Sequence, residues 1–539
     1  SVILAILLLI SIGFFLYGFT QQIEAQKQTA EAIEQANQAK LERAKAEESK
    51  LLAEKQTKLA VEAQKKVEAR EKELESSYIE LQAAYREAER QTELAKRSEA
   101  LAESERDNAI AARAEAFRNL EIANAATKQA NQQLLLSIAQ QLGAKAEGIQ
   151  DKNMAGLAAM QGFLFHSQNG GRERDAYIFR GLYYALTKLN GLSYNAVKVP
   201  GNFRNRMYAL AVSRTDSKFF TTGNDGRIFA GDFEKLEASE EIAANAFPNR
   251  VLALSPDEKY LVNGSDSSFM QIINLTAAGR DAIIKVKGHK GFVNEIKFLP
   301  FNGGFLSTSS DRTIRLTQVD GTSKVIATSP VAIKSMDINA AGTEVVAVAA
   351  TGQIMRLDLR TNQLTTIHTE APNRVLAVAY HPTRQVIAYG VEVLDARGST
   401  MRGTVKLFGL RQNKVLKSLE GHISAISDLD YSPDGTLLAS AGLDNKLQMW
   451  VVDKEEDLPI LMDNNNMNVW DIAFAKGSDY LIASSNNGEI RVWPTNPKTL
   501  AEQICPKLTR NMTPEEWEAY VGNNIDYEST CRSLLISNF

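Results

Sequence analysis

The sequence predicts a mainly β globular domain, a seven-bladed β-propeller, preceded by a single transmembrane helix and a long α-helical coiled coil. Three observations predict it. An uncharged apolar run opens the chain, and a stretch without Pro or Gly follows in which apolar residues recur every seven positions. From Ser193 onward the apolar period becomes two, Asp-Gly and Asn-Gly turns appear, and similar units recur about every 40 to 50 residues.

The apolar run is VILAILLLISIGFFLYGF, Val2 to Phe19. Its length suits a hydrocarbon core of about 30 Å, so residues 1–20 are expected to anchor the chain in a bilayer. A signal peptide is the alternative, but the run lacks a basic flank before it and a small-residue cleavage site after it. Ser1 stands directly before the span, which suggests the remnant of a longer chain. Only the flank carrying Glu24 and Lys27 is present, so charge asymmetry leaves the orientation open.

Residues 21–133 are almost entirely Ala, Glu, Lys, Gln, Arg and Leu, the composition of one uninterrupted helix. Steps of seven from Ala25 meet Ala32, Ala39, Ala46, Ala53, Ala60, Val67, Leu74, Leu81, Ala88, Ala95, Ala102, Ala109, Ala116, Ala123 and Ala130, with no polar residue. A companion row, Leu74, Tyr78, Leu81, Tyr85 and Ala88, keeps the four-three spacing of a heptad seam. A lone helix would drift out of a strict seven-residue period, so the pattern predicts a coiled coil of about 170 Å that oligomerises the chain. Residues 134–192 regain helical apolar spacing, interrupted at Gly170 and Gly171, and are expected to form a small helical adaptor.

The propeller is expected over residues 193–497. Its seven units align on YALAVS at Tyr208, RVLALSPDE at Arg250, VNEIKFLP at Val293, IKSMDINAAG at Ile333, VLAVAYHP at Val375, ISDLDYSPDG at Ile426 and VWDIAFAKG at Val469. The strand SYNAVKVP, Ser193 to Pro200, precedes the first complete unit and is predicted to pair after RVW, Arg491 to Trp493, closing the ring. The stretch GVEVLDARGSTMRG, Gly390 to Gly403, reads as an inserted loop suited either to binding or to a plain surface excursion.

Two units carry a fuller motif. One has Gly421, His422, Ser440, Asp444 and Trp450; the other has Gly288, His289, Ser307 and Asp311, with Thr317 at the Trp position. These units resemble WD repeats. The resemblance implies that His, Ser, Asp and Trp form a buried structural hydrogen-bond chain, and that neither His289 nor His422 is a metal ligand or general base. Other units depart from the pattern: Thr221 and Asp225 stand without His or Trp, and Trp493 stands with Asn487 in the Asp position.

Residues 498–539 return to helix, with Thr513 as N-cap, Pro514 at the first helical position and Glu516 completing a capping box. Cys505 and Cys531 are the only cysteines, both in this tail, and a bridge between them is expected. Loop closure would make it worth about 3 kcal/mol, and it points to an extracytoplasmic, periplasm-like compartment at the inner membrane. Asn511-Met512-Thr513 is a formal glycosylation acceptor. The order of parts, with AQQLGAKA and LTRNMTPEEWEAY as its most specific stretches, is similar to the C-terminal portion of bacterial STAND-type NTPases joined to WD repeats. No GxxxxGK[ST] loop is present, so the resemblance carries no NTPase activity to this chain.

The 61 basic and 65 acidic residues leave a formal charge of -4, which gives no whole-chain case for nucleic acid. No HExxH or GxSxG motif and no metal-ligand cluster stands out. The reading is therefore a non-enzymatic scaffold or sensor without cofactor, with a protein partner on the propeller face. A structural subunit of a large membrane machine is the alternative.

Overall fold

The computed structural model describes residues 54–62, 64–66, 84–200, 206–277, 282–301, 303–452, 459–462, 467–475 and 477–535. The predicted span at residues 2–19 and the seam residues Leu74, Tyr78 and Leu81 lie outside them. Among the described residues, no helix is long and apolar enough to cross a membrane. The described residues fall into two compact units, one holding the chain up to Gln141 with Phe165–Gly171, the other holding Leu142–Leu164 and the chain from Arg172.

In the first unit, helix α1 (Ala84–Gly148) carries most of the chain, and the absence of Pro and Gly up to Gln141 leaves nothing to stop it. Ala116, Ala123 and Ala130, spaced by seven, are buried, whereas Ile110, Phe117 and Ile122 beside them are exposed. The sequence boundary at 133/134 does not exist as a break. The helix continues to Gly148 and passes into the second unit, because the apolar spacing after Leu134 keeps helical phase with what precedes it.

In the second unit, the end of α1 crosses helix α3 (Ala176–Asn190). Glycine is required at that crossing: a Cβ on Gly143 would lie 2.5 Å from the Tyr177 carbonyl oxygen, and one on Gly181 would lie 2.7 Å from the Gly143 Cα. Asp175 caps α3 by accepting hydrogen bonds from the Tyr177 and Ile178 N–H groups. Helix α2 (Lys152–Gln168) ends just before Gly170, whose φ of 75° turns the chain.

The tail folds against this helical part. Thr513 and Glu516 form the capping box of helix α5 (Pro514–Tyr520), preceded by the short helix α4 (Pro497–Glu502). Cys505 and Cys531 are joined by a disulfide with Cα atoms 5.7 Å apart. Thr530 donates to the buried Gln161 carboxamide at 2.8 Å, and Gln161 donates to Glu528 at 2.7 Å. Asn511 of the glycosylation triplet is turned inward: it donates to the Cys531 carbonyl and accepts from the Cys531 N–H.

The rest of the second unit is a seven-bladed propeller of four-stranded antiparallel sheets. Blade 1 begins with β2 (Met207–Val212), blade 2 with β6 (Asn249–Leu254), blade 3 with β10 (Val293–Phe298) and blade 4 with β14 (Ile333–Ile338). Blade 5 begins with β18 (Arg374–Tyr380), blade 6 with β22 (Ile426–Tyr431) and blade 7 with β26 (Val469–Ala475). These seven innermost strands contact one another in turn, β26 returning to β2, so they line the bore. All seven carry a bulge near the start of the strand, between positions such as Val293 and Glu295 or Val469 and Asp471. The apolar alternation of the strands fills the space between blades, as where Ile333, Met336 and Ala347 of blade 4 meet Leu306 and Ile314 of blade 3.

The ring closes where the sequence predicted. Strand β1 (Ala196–Lys198) pairs antiparallel with β28 (Glu489–Pro494), Ala196 opposite Arg491, as the outermost strand of blade 7. Arg491 is 1% exposed and secures the closure. Its guanidinium donates to the Leu192 carbonyl at 2.6 Å, the Asn195 side chain at 3.0 Å and the Glu489 carboxylate at 3.0 Å. An Arg491→Ala change strands these acceptors, and breaking a buried charge pair of this kind costs about 3 kcal/mol. Chemical unfolding followed by Trp fluorescence should show that loss as a lower midpoint with an unchanged slope.

Candidate interaction face of the propeller

Each innermost strand begins at the same end of the propeller, and the loops that enter these strands share that end with the turns joining the second and third strands. His289 sits in one such loop and His422 ends the strand that leads into another, and each is tied to one of those turns. His422 Nδ1 lies 3.0 Å from Asp444, its Nε2 lies 2.9 Å from Ser440, and Trp450 donates its indole N–H to Ser440 at 3.2 Å. His289 Nδ1 lies 3.1 Å from Asp311 and its Nε2 lies 2.8 Å from Ser307. Asp311 also accepts from the Lys290 N–H and from Thr313; these bonds overcome its burial and hold it at about 2. Burial pushes the His289 imidazole down. Thr317, at the Trp position of this blade, donates to Ser323 instead.

The departing blades use other chemistry at the same places. In blade 5, Glu370 accepts from Tyr389 at 2.7 Å and from Lys406 at 2.8 Å, with His368 at 3.2 Å, so an ionic network replaces the His and Ser. In blade 2, Asn249 accepts from Asn263 at 2.7 Å and donates back to Thr222 of blade 1 at 2.8 Å. Blade 7 has Ala483 where Ser440 stands in blade 6, and the fully buried Trp493 indole N–H has no acceptor there. Asn487 accepts from the Ser485 hydroxyl and the Glu489 N–H, which shapes the turn without any His. Gly390 to Gly403 is no inserted loop: β19 (Val386–Leu394) and β20 (Thr400–Gly409) pair as far as Leu394 and Thr400, so alternating residues extend the hairpin beyond the sheet.

The entry face concentrates the propeller's exposed apolar side chains. Phe247, Phe292, Ile423 and Met467 lie in strand-entry loops, and Met401 lies on the long blade 5 hairpin; Ile423 is 70% exposed. Toward the opposite face, among the described residues, Phe301 and Leu192, just before the closing strand, are comparably exposed, while Ile284, Val325 and Leu416 lie on outermost strands. Just inside the entry loops, Trp470 and Tyr208 meet edge to face at 5.6 Å, and the Arg250 guanidinium lies 4.6 Å from the Tyr208 centroid while bonding Asp266 at 2.6 Å and 2.8 Å. Sequence reading missed this stack because each member is an isolated residue in its own repeat.

Below the bulges, four of the seven blades turn polar or charged side chains into the bore. The first position after each bulge carries Glu295, Ser335, Asp428 and Asp471 in blades 3, 4, 6 and 7, and Ala209, Val251 and Ala377 elsewhere. Two residues further on, Lys297, Asp337 and Asp430 stand in blades 3, 4 and 6, with alanines in the other four. An innermost strand is a sheet edge, and the aspartates satisfy amides on the next blade's edge. Asp337 accepts from the Tyr380 N–H at 2.7 Å, Asp428 from Ile472 at 2.9 Å, Asp430 from Phe474 at 2.8 Å and Asp471 from Leu210 at 2.7 Å. Ser335 donates to Glu295 at 3.1 Å, and Lys297 lies 3.7 Å from Asp337.

These groups lie deep in the ring yet touch the bore, since the Lys297 side chain is 40% exposed and that of Asp337 24%. Burial raises Glu295, Asp430 and Asp471 to about 7. Burial, and then the neighbouring Asp471, raise Asp428 well above the usual carboxylate range. Against burial, Asp337, Glu295, Asp428 and Asp430 hold the Lys297 ammonium protonated, its pKa raised. Among the described residues no group of three or more His, Cys, Asp or Glu side chains has a metal-holding arrangement.

With this geometry in view, the sequence matches the family described as WD domain, G-beta repeat, over residues 280–317, 413–451 and 460–494. The propeller carries WD repeats. Human apoptotic protease-activating factor 1 is similar to it, 29% identical over 218 residues, which are 40% of this chain and 16% of the human protein. Nuclear distribution protein nudF of Aspergillus flavus is 27% identical over 124 residues, 22% of this chain and 25% of the fungal protein. The chain thus spans about a sixth of the first WD-repeat relative and a quarter of the second.

The raised bore carboxyls give the WD-repeat propeller a testable pH dependence. Unfolded, they titrate near pH 4; folded, Glu295, Asp430 and Asp471 keep protons up to about 7. The folded state therefore binds more protons across that window, and their contribution to stability falls as pH rises through it. His289 opposes this below about pH 6.5, and Asp311 only below about pH 4. Differential scanning calorimetry should find the propeller less stable at pH 8 than the Asp428→Asn, Asp430→Asn variant, with the gap closing toward pH 5; asparagine keeps an oxygen for the Ile472 and Phe474 amides.

Proposed function

We propose that the chain is a membrane-anchored, non-enzymatic interaction protein whose WD-repeat propeller binds a protein partner on its entry face, with the long helix serving as an oligomeric coiled-coil stalk. The observation that carries this reading is the one-sided exposure of Phe247, Phe292, Met401, Ile423 and Met467. Exposed apolar patches of this kind, framed by aromatic and Arg side chains, have the composition of interaction hot spots. The His–Ser–Asp chains are spent on holding strand-entry loops to turns, which leaves no free general base there. The seven-residue recurrence of alanine along the sequence of this helix supports the stalk.

The Cys505–Cys531 disulfide supports an oxidising compartment such as a periplasm, since cytosolic thiols are kept reduced. The bacterial STAND-type setting, in which a nucleotide-binding module is coupled to detection by the propeller, belongs to the same proposal. In protein purified from its native membrane without reductant, alkylation and mass spectrometry of the tail peptides should find both thiols blocked; free thiols would contradict the oxidising location. Joint Phe292→Asp and Ile423→Asp changes should reduce copurifying partner about tenfold, whereas Phe301→Asp on the opposite face should not.

A further inference from the structure

The bore beneath the entry face carries an excess of carboxyl groups over amines, facing the direction from which a partner would come. Glu295, Asp428 and Asp471 occupy the layer nearest the strand-entry loops, and Asp337 and Asp430 the layer below, against the single ammonium of Lys297. The excess spans the axis, because blade 3 supplies Glu295 and Lys297 while blades 6 and 7 supply the three facing aspartates. Tying strand edges accounts for one oxygen of each aspartate, and Asp428 and Asp471 also hydrogen-bond to each other. Tying an edge does not require a charge, since a neutral amide oxygen accepts the same N–H.

We propose that the entry face docks a segment of a protein partner whose apolar side chains seat on Phe247, Phe292, Ile423 and Met467 and whose lysine or arginine enters the bore against Asp428, Asp471 and Glu295. The inference rests on the entry face being the interaction surface, and it adds the chemistry of the partner. Apolar contact at the rim removes water from the mouth, and charge-assisted hydrogen bonds strengthen in such a site. An anionic side chain would be repelled there. Trp470 and Tyr208 offer the aromatic wall past which a long aliphatic stem with a cationic head can lie.

Docking of a cation carries a proton signature. Carboxyls that hold protons near neutrality must release them when a cation takes their place, so binding at pH 7 is coupled to proton release.

The test uses acetylated, amidated heptapeptides rich in Leu and Phe with a central Arg, Lys, norleucine or Glu, titrated calorimetrically into the full chain in detergent. Arg and Lys peptides should bind about tenfold more tightly than the norleucine peptide, with the Glu peptide weakest, and only the first two should release protons in paired buffers of different ionisation enthalpy. The Asp428→Asn, Asp471→Asn variant should erase the preference while keeping norleucine-peptide affinity, and Glu295→Gln should weaken it if the double variant folds poorly. Equal affinity for Arg and norleucine, a preference that survives these changes, or no binding by any peptide overturns the inference. Norleucine-peptide binding that is lost in the Phe292→Asp, Ile423→Asp variant but shows no cation preference would leave the interaction face standing and remove only the bore from it.

Discussion

Closure of the ring is the constraint on which everything else in the globular part depends. A propeller blade buries its two faces against its neighbours, so an open ring would expose two apolar sheet faces and a strand edge at once. The pairing of β1 with β28 removes that edge, and it does so by returning to the last blade a strand from the beginning of the globular segment. Arg491 makes the closure specific. Its three partners come from both sides of the seam, and a buried guanidinium is tolerable only with all of them present.

Closure has a cost at the centre. The seven innermost strands each turn an unpaired edge toward the bore, and the bulge near each strand's start disturbs the pairing further. Aspartates from one blade reach the amides of the next, so three inter-blade seams, between blades 4 and 5, 6 and 7, and 7 and 1, are joined by side chains in place of sheet pairing. The consequence is a bore with several acids and one lysine, whose charges are held apart from bulk water. Alanine at the matching positions of the other blades shows that the ring tolerates neutral residues there, and the asymmetry is what gives the face a direction.

Much of this was legible in the sequence. The period-two apolar units, the seven strand starts and the closing strand could be read because each is written in a repeat, and His422, Ser440, Asp444 and Trp450 could be placed because the pattern recurs at His289, Ser307 and Asp311. What was not legible follows from the same logic. Glu370, Tyr389 and Lys406 perform the ring-holding task of the His–Ser pair with different chemistry, so no pattern marks them. The bore acids are ordinary alternating polar residues of their own strands and become a cluster only when seven strands surround one axis. The stretch Gly390 to Gly403 reads as an inserted loop because it is longer than the corresponding hairpins, yet the residues flanking its turn keep strand alternation and extend the sheet.

The central claim is that one end of the closed ring, and not the other, meets a partner. A photo-crosslinking amino acid placed in turn at Phe292 and at Phe301 of the full chain, in the cells that produce it, tests it most directly. The account predicts a discrete protein adduct from position 292 and none from position 301. Adducts of equal yield from both positions, or from 301 alone, would contradict it.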